Sequence, residues 1–204
     1  PQQLYNATQS GSRDFHPLLC LVAQRKGMVI NMNYRLGLYE KSMPNTLRLQ
    51  DKLRLVKDSG FDYLEMSVDE SDEKLSRLDM TPKQTLELLG AMRDTGVPIA
   101  SICLSAHRKY PLGSSDPKKE QRSLDIMKKA IDLASALSVR QIQIAGYDVY
   151  YEESTAQTWA RFEKNLLACV EAAARAGVLL AFETMETAFL NTVEKAMYYV
   201  KLAD

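Results

Sequence analysis

Two kinds of segment alternate along the chain from residue 35 onward. Short apolar runs are followed by longer stretches in which apolar residues recur every three or four positions. The short runs are typical of buried β-strands and the longer stretches of amphipathic helices. The predicted strands are 35–39, 63–68, 99–104, 139–145 and 178–182.

Helix boundaries are marked by capping residues and glycines. Thr81 and Gln84 form a capping box around Pro82, and Asp116 precedes Pro117 at another predicted helix start. Further starts are predicted at Asn45 or Thr46, at Ser154 or Thr155, and at Asn191 and Thr192. Three helices are predicted to end at Gly60, Gly96 and Gly177. The last helix carries an apolar stripe formed by Val193, Met197 and Val200.

Five consecutive strand–helix units indicate a parallel sheet, because helical crossovers return the chain to the same end of the sheet. Two α/β folds meet this requirement: a doubly wound sheet and a (β/α)8 barrel. The turn after the first strand, residues 39–44, has no glycine, which disfavours a dinucleotide-binding sheet. A TIM barrel needs eight units. The sequence therefore predicts an incomplete (β/α)8 TIM barrel with five of the eight units, whose first and last strands are open edges.

Residues 1–33 differ from the rest of the chain. The first 15 residues are polar and show neither helical nor strand periodicity. We therefore divide the chain into an unassigned leader, 1–33, and a partial TIM-barrel domain, 34–204. The leader is expected to be disordered or non-native in origin, and a genuine N-terminal extension is the alternative.

Charge and composition exclude several classes of protein. Lys and Arg number 26, as do Asp and Glu, so the net charge is zero. This balance argues against a basic nucleic-acid surface or a polybasic membrane anchor. No apolar run is long enough to span a bilayer. The three cysteines, Cys20, Cys103 and Cys169, lack metal-type spacing and suit the reducing cytoplasm as free thiols.

In a barrel the active site lies where the strands end, and charged residues follow every predicted strand. Most of these fit ordinary solvated loops. Glu65 and Glu183 are stronger candidates, because each directly follows an apolar run where an unpaired carboxylate would be costly to bury. A metal ion or a substrate hydroxyl would offset that cost.

Positive groups follow the third strand. His107, Arg108 and Lys109 are consecutive and suit an anionic, phosphorylated small molecule, with Arg77 as a further candidate. The alternatives are a structural role for His107 and solvated surface positions for the three cations.

Several long blocks resemble the L-ribulose-5-phosphate and L-xylulose-5-phosphate 3-epimerases of L-ascorbate and L-xylulose breakdown. The blocks are residues 36–41, 61–70, 75–79, 103–108, 111–113 and 143–151. The resemblance runs from about residue 35 to the C-terminus. It implies a TIM barrel of the xylose-isomerase-like superfamily.

The resemblance also implies a mechanism. Such enzymes hold a divalent metal, expected to be Zn²⁺, Mn²⁺ or Mg²⁺, and two glutamates exchange the C3 proton through a metal-stabilised enediolate. Glu183 matches the strand-five glutamate, and is thereby implied to be both catalytic residue and metal ligand. The second glutamate and the remaining ligands belong to strands six to eight, so the chain is expected to be a C-terminally truncated, inactive fragment. Glu65, His107, Arg108, Lys109 and Arg77 are the expected substrate-binding residues.

The leading hypothesis is therefore an isomerase acting on ketopentose 5-phosphates. A hexulose-6-phosphate isomerase-like enzyme and a metal-dependent phosphodiesterase are alternatives on the same fold, and a non-catalytic truncated half-barrel is a third. The expected partners are a sugar phosphate and, as a homodimer, a second copy of the chain, with no nucleic acid and no membrane.

Overall fold

A computed structural model describes residues 34–203 as five strand–helix units around one parallel sheet. The predicted leader, 1–33, lies outside the described residues, as does Cys20. The strands are β1 (Gly37–Tyr39), β2 (Tyr63–Val68), β3 (Ile99–Leu104), β4 (Gln141–Ala145) and β5 (Leu179–Glu183). The predicted bounds of β2 and β3 are confirmed, whereas β1 and β4 are two residues shorter at their starts.

Helices follow the strands in order. They are α1 (Leu49–Asp58), the single turn α2 (Asp72–Leu75), α3 (Pro82–Thr95), α4 (Pro117–Ala136), α5 (Ala156–Arg175) and α6 (Val193–Ala203). Short 3-10 turns occupy Glu40–Ser42, Ser76–Asp79 and Ser105–Arg108. None of the helices in 34–203 is long and apolar enough to cross a bilayer.

The strand order β1-β2-β3-β4-β5 never reverses. A doubly wound sheet needs a reversal point, so this order shows the barrel type of α/β fold. Because crossovers share one hand, a sheet that grows in one direction carries all its crossover helices on one face. The five-unit prediction is confirmed.

The two faces of the sheet differ in chemistry. Leu64, Met66 and Val68 of β2 are fully buried beneath the helices and belong to the main hydrophobic core. Glu65 and Ser67 alternate with them and lie on the opposite face, where they pair in register with Ser101 and Cys103 of β3. We call this helix-free side the inner face.

Four of the helices end in the same turn. A residue with positive φ follows α1, α3, α4 and α5, and these residues are Gly60, Gly96, Ser138 and Gly177. After the last two, Val139 and Val178 donate backbone hydrogen bonds back to the helix at 2.8 and 2.9 Å. This left-handed cap ends each helix and directs the chain into the next strand.

Most predicted helix starts are confirmed, with one exception. Thr81 and Gln84 form the capping box, and Thr155 caps α5. The start at Asn45 or Thr46 is wrong, because these residues occupy a turn in which Leu47 donates to the Pro44 carbonyl. The helix begins at Leu49, after Arg48, whose side chain makes no capping bond.

The edge strands are β1 and β5, as predicted. The apolar stripe predicted on the last helix, Val193, Met197 and Val200, is exposed. Tyr199, on a different side of α6, is buried instead, against Phe162, Phe182 and Phe189. The reason is that nothing in residues 34–203 covers the outer side of α6.

Candidate functional site

A polar cleft of about 710 Å³ lies at the carboxyl edge, where the parallel strands end. The lining residues follow β1, β2, β3 and β4: Lys41, Asp69, Glu70, Ser71, Ser105, Arg108, Lys109 and Tyr151. Three of them are cations and two are carboxylates, so the cleft carries a small positive excess. We call it the carboxyl-edge cleft. Of the sequence-predicted residues, it brings together Arg108 and Lys109.

Arg108 is held by an aromatic ring. Its guanidinium carbon lies 4.8 Å from the centre of the Tyr150 ring, which fits a cation–π contact. Lys109 is exposed, with its ammonium 5.4 Å from the centre of the Tyr110 ring. Arg108 is therefore the better oriented of the two for a fixed contact with an anion.

Several buried polar atoms around this cleft have no hydrogen-bond partner within residues 34–203. Glu70 Oε2, Ser105 Oγ and Arg108 Nε belong to cleft residues, and the Tyr147 hydroxyl is a fourth such atom. Buried polar groups in folded proteins are normally paired with protein or water. These donors and acceptors are therefore left for water or a polar ligand to satisfy.

Glu183 is the last residue of β5, and its side chain is exposed. Its backbone carbonyl accepts a 2.9 Å hydrogen bond from Gly146, which fixes the end of the strand. The expectation of a buried strand end is corrected, since β5 is an edge strand open to solvent. Its carboxylate, for which no ion pair is found among the described residues, is available to a ligand.

Glu65 lies deeper on the inner face. It is the third of six residues in β2 rather than a strand end. The Ser101 hydroxyl donates to its carboxylate at 2.6 Å, which offsets part of the cost of its partial burial. It lines a separate cleft of about 280 Å³ with Tyr39 and Tyr63, and not the carboxyl-edge cleft.

Cys103 lies between the two glutamates in strand order. Burial raises the pKa of its thiol, the negative charges of Glu65 and Glu183 raise it further, and the hydrogen bond from the Tyr39 hydroxyl acts in the opposite direction. Burial likewise raises the pKa of Tyr39 well above its usual value. Glu65 and Glu183 thus share the inner face, and Cys103 is a neutral wall residue there rather than a thiolate nucleophile. Cys169 is buried on α5.

His107 lies outside the cleft. It is buried, and its Nε2 donates to the Ser123 carbonyl of α4 at 3.1 Å. Burial lowers the pKa of His107 to about 4, although the hydrogen bond to Ser123 opposes this. These contacts favour the structural alternative for His107 and argue against contact with a substrate.

Arg77 is also buried, because it pairs with Glu40. Its guanidinium donates to both carboxylate oxygens of Glu40, at 2.5 and 2.8 Å, and to the Ser67 carbonyl at 2.9 Å. The guanidinium is occupied by protein acceptors, so Arg77 supports the loop after β2 and is not free to bind an anion. This placement argues against the substrate-binding role expected for it.

The carboxylate of Glu40 is surrounded by three cations. Besides Arg77, Lys52 and Lys74 donate to it at 2.7 and 2.5 Å, and the Ser67 backbone amide donates at 2.8 Å. Burial alone would raise the pKa of Glu40, but the hydrogen bonds and charge of Arg77, Lys52 and Lys74 outweigh it and hold the pKa well below its usual range. Glu40 stays ionised and inaccessible.

The sequence profile of the xylose isomerase-like TIM barrels matches residues 53–204, about three quarters of the chain. The chain belongs to the xylose isomerase-like TIM barrel family.

Close sequence relatives in this family include named epimerases. SgbU of Escherichia coli (strain K12) is 51% identical over 163 residues, which are 80% of this chain and 57% of SgbU. The L-ribulose-5-phosphate 3-epimerase UlaE of Escherichia coli (strain SE11) is 49% identical over 164 residues, 80% of this chain and 58% of that protein. The chain is homologous to these proteins and spans less than two thirds of their length.

Several solved structures share the fold. D-psicose 3-epimerase from Clostridium cellulolyticum H10 matches with a TM-score of 0.71 at 19% identity, over 84% of this chain and 60% of that one. A xylose isomerase-like TIM barrel protein from Mycobacterium smegmatis, in complex with magnesium, matches with a TM-score of 0.65 at 14% identity, over 84% and 62%. At these identities the likeness shows the fold alone.

A divalent metal ion in a protein needs several side-chain ligands close together. No group of three or more His, Cys, Asp or Glu side chains lies close enough together in residues 34–203 to hold one. Glu183 offers one free carboxylate, and Glu65 is bonded to Ser101 lower on the inner face. The described residues do not fit a metal ion by themselves, so the ligand role of Glu183 stays a prediction.

Three residues in and around the site were not predicted from the sequence. Lys41 lines the cleft and pairs with Asp69 at 3.0 Å, and Tyr150 holds Arg108. Lys52 neutralises part of the charge of Glu40 from α1. A signal for Lys52 was present, because it falls among the buried residues Leu49, Leu53 and Val56, where an unpaired lysine would be costly.

Proposed function

We propose that this chain forms part of a sugar-phosphate 3-epimerase that interconverts L-ribulose 5-phosphate and L-xylulose 5-phosphate. The observation that carries the proposal is the identity of about one half with UlaE over 80% of the chain. Such a substrate needs a free carboxylate near the sugar and cations near the phosphate. The inner face provides the carboxylate, and the carboxyl-edge cleft provides the cations.

The phosphate end is assigned to the carboxyl-edge cleft. Arg108 and Lys109 supply positive charge, and Arg108 keeps a buried Nε without a protein partner. A guanidinium matches the geometry of a phosphate and binds it through charge-assisted hydrogen bonds. Glu70 Oε2 and Ser105 Oγ, also unpaired, suit the hydroxyls of the sugar.

The C3 proton is assigned to Glu183. A proton beside a ketone is weakly acidic, and its removal needs a positioned base. By strand register Glu183 shares the inner face with Cys103, and its free carboxylate can accept that proton on one face of the sugar. Inversion at C3 needs a second acid on the opposite face. Glu65 is lower on the inner face and bonded to Ser101, so it does not supply one.

Measurements of sugar binding by this chain test whether the carboxyl-edge cleft binds the phosphate. Isothermal titration with L-ribulose 5-phosphate and with L-ribulose should give tighter binding of the phosphorylated sugar. Arg108→Ala should weaken binding of the phosphate ester by about tenfold or more and leave that of L-ribulose unchanged. The matched control is Lys57→Ala, which removes a cation at the far end of α1. Equal losses for both sugars would remove phosphate contact as the role of Arg108.

Hydrogen exchange tests Glu183. In a version extended after residue 204 by the C-terminal part of a homologous 3-epimerase, Glu183→Gln should lower epimerisation by several orders of magnitude. Incorporation of deuterium at C3, followed by NMR in deuterated water, should stop as well. The control is Glu186→Gln, which makes the same change at an exposed carboxylate three residues away. Normal exchange in the Glu183 variant would show that another group is the base.

A non-catalytic role for the chain alone is the second candidate. It is favoured by the lack of a metal-binding group among residues 34–203. In that case the chain binds the sugar phosphate without converting it. Turnover by the unextended chain, with loss of turnover in Glu183→Gln, would eliminate this candidate.

A further inference from the structure

Tyr147, two residues after the end of β4, carries a buried hydroxyl for which the protein supplies no hydrogen-bond partner. Its side chain is 2% exposed, and the hydroxyl oxygen is unpaired within residues 34–203. A buried tyrosine hydroxyl normally finds a partner. A phenylalanine would fill the same space without burying an unpaired polar group, so the hydroxyl itself needs an explanation.

The neighbours of Tyr147 place it beside the carboxyl-edge cleft. Its ring meets the Tyr150 ring edge to face, with 5.3 Å between the two ring centres. The same Tyr150 ring holds the guanidinium of Arg108. Tyr147 therefore packs directly behind the cation that the proposed function assigns to the phosphate.

The hydroxyl of Tyr147 keeps its proton at neutral pH. Burial raises the pKa of Tyr147 well above its usual value, the charge of Arg108 lowers it, and Cys103 and Glu70 raise it further. Arg108 and Glu70 line the cleft, and Cys103 lies on the inner face. Tyr147 thus offers a neutral phenol, which can donate one hydrogen bond and accept another.

The strand order decides which part of a ligand this hydroxyl can reach. Strands β3, β4 and β5 are neighbours in that order, and adjacent strands lie about 4.8 Å apart. Arg108 follows β3, Tyr147 follows β4, and Glu183 ends β5. The residue before Tyr147, Gly146, donates a 2.9 Å backbone hydrogen bond to the Glu183 carbonyl. Tyr147 therefore follows the strand between the one that leads to Arg108 and the one that ends in Glu183.

The inference rests on the proposed function, in which Arg108 binds the phosphate on C5 and Glu183 exchanges the C3 proton. In a ketopentose 5-phosphate, C4 and its hydroxyl lie between these two positions. We propose that Tyr147 is a specificity-determining residue whose hydroxyl makes a hydrogen bond with the C4 hydroxyl of the sugar phosphate. The substrate thereby supplies the partner that the protein does not.

This contact predicts discrimination against sugars that lack the C4 hydroxyl. A site with a buried polar group rejects a ligand without the matching group, because the polar group of the protein then stays unpaired. A hydrogen bond between two neutral groups changes affinity by about two- to tenfold.

Isothermal titration with two ligands and two forms of the chain tests the proposal. The ligands are L-ribulose 5-phosphate and its 4-deoxy analogue, and the variant is Tyr147→Phe, which removes only the hydroxyl. The parent chain should bind the 4-deoxy analogue about fivefold more weakly than L-ribulose 5-phosphate. Tyr147→Phe should bind both ligands about as weakly as the parent binds the analogue. The two losses do not add, because each change removes the same hydrogen bond.

Two controls separate the lost contact from general damage to the fold. Tyr199→Phe makes the same change at a buried tyrosine of α6 and should leave the binding of both ligands unchanged. Tyr147→Phe should unfold at the urea concentration of the parent chain or slightly above it, because no protein group loses a hydrogen bond. Earlier unfolding would show that the protein itself uses the hydroxyl, contrary to the proposal.

Two binding results would overturn the inference and leave the proposed function intact. In the first, Tyr147→Phe binds L-ribulose 5-phosphate as tightly as the parent chain does, which would mean that water satisfies the hydroxyl. In the second, the variant still distinguishes the two ligands, which would mean that another group recognises the C4 hydroxyl. Failure of the proposed function would look different, because the parent chain itself would then bind neither ligand.

Discussion

Two glutamates occupy similar places in the fold and have opposite environments. Glu40 directly follows β1 and is fully buried, with five hydrogen bonds from two lysines, one arginine and one backbone amide. Glu183 ends β5, is exposed, and has no ion pair within residues 34–203. Both follow the same pattern in the sequence, an apolar run closed by a glutamate.

The difference shows that the neighbours of a carboxylate decide its role. A carboxylate that is saturated by three cations fixes the loops around it and cannot accept a proton from a ligand. A carboxylate with free oxygens at the same edge of the sheet can contact a ligand and move a proton. The β1 end of the carboxyl edge is therefore joined by buried ion pairs, and the β5 end keeps a carboxylate without an ion pair among residues 34–203.

Removing the charge of Glu40 should have the largest effect. Glu40→Gln leaves Lys52, Lys74 and Arg77 buried without a counter-charge, and breaking a buried ion pair in this way costs about 3–5 kcal/mol. Urea unfolding should show this loss, or the variant should fail to fold. Glu183→Gln should unfold at nearly the same urea concentration as the parent chain. Similar losses of unfolding free energy in the two variants would mean that the two carboxylates do not differ in their contribution to stability.

A smaller loss of folding stability is expected when the pH is lowered. His107 is buried and its pKa is lowered to about 4 in the folded state, against 6.5 when unfolded. Between these values the unfolded chain binds the proton and the folded chain does not, so stability is lost as pH falls from 6.5 towards 4. The loss amounts to about 3 kcal/mol at completion.

His107→Gln isolates that contribution, because the amide can still donate to the Ser123 carbonyl but does not titrate. Unfolding free energies measured at pH 7 and at pH 4 should differ less in the variant than in the parent chain. Equal acid sensitivity would mean that His107 is not the group responsible.

The backbone offers a test that does not depend on side-chain neighbours. Ser138 is exposed and has a φ of 58°, whereas glycine occupies the same turn after α1, α3 and α5. A left-handed conformation costs a non-glycine residue about 1–2 kcal/mol, and the extra freedom of glycine when unfolded cancels part of that gain. Ser138→Gly should therefore stabilise the chain by up to about 1 kcal/mol, measured by urea unfolding. Gly177→Ala should have the opposite sign, and a loss in both variants would contradict this explanation.

The smallest effect is expected from breaking an exposed ion pair, which tests whether pairing alone or burial makes the ion pairs of Glu40 important. Lys128 and Asp132 form an ion pair at 2.7 Å, as Lys52 and Glu40 do, but both side chains are exposed. Surface ion pairs contribute little because water and salt screen them. Asp132→Asn should leave the melting temperature within about 1 °C of the parent value. A larger fall would mean that pairing, and not burial, sets the importance of Glu40.

Much of the fold could be predicted because it rests on local patterns. The runs at β2 and β3 are apolar and bounded by clear turn signals, so their bounds were predicted without error. The start of α1 was mispredicted because Asn45 and Thr46 are typical of both caps and turns, and here they are the two central residues of the turn from Pro44 to Leu47.

The site was harder to predict, because periodicity shows which face of an element is apolar but not what covers it. The spacing of Val193, Met197 and Val200 predicts an apolar stripe on the last helix, but it does not show that these three side chains are exposed. Similarly, His107 and Arg77 have the chemistry of ligand-binding residues, but Ser123 and Glu40 occupy their polar groups. Such contacts join residues 16 and 37 positions apart, which a local pattern does not reveal.

The uninterrupted strand order has a consequence for how the chain is made. Each strand pairs with the one before it in the sequence, so no strand has to insert between two that are already in place. During synthesis from the N-terminus, β2 can settle on β1, and every later strand–helix unit can then join the growing sheet as it emerges. Paired residues of neighbouring strands are 26 to 40 positions apart, so each new pairing closes a loop of only one strand–helix unit. At each stage the most recent strand is the template for the next, and the sheet lengthens by one unit without rearrangement of the earlier ones.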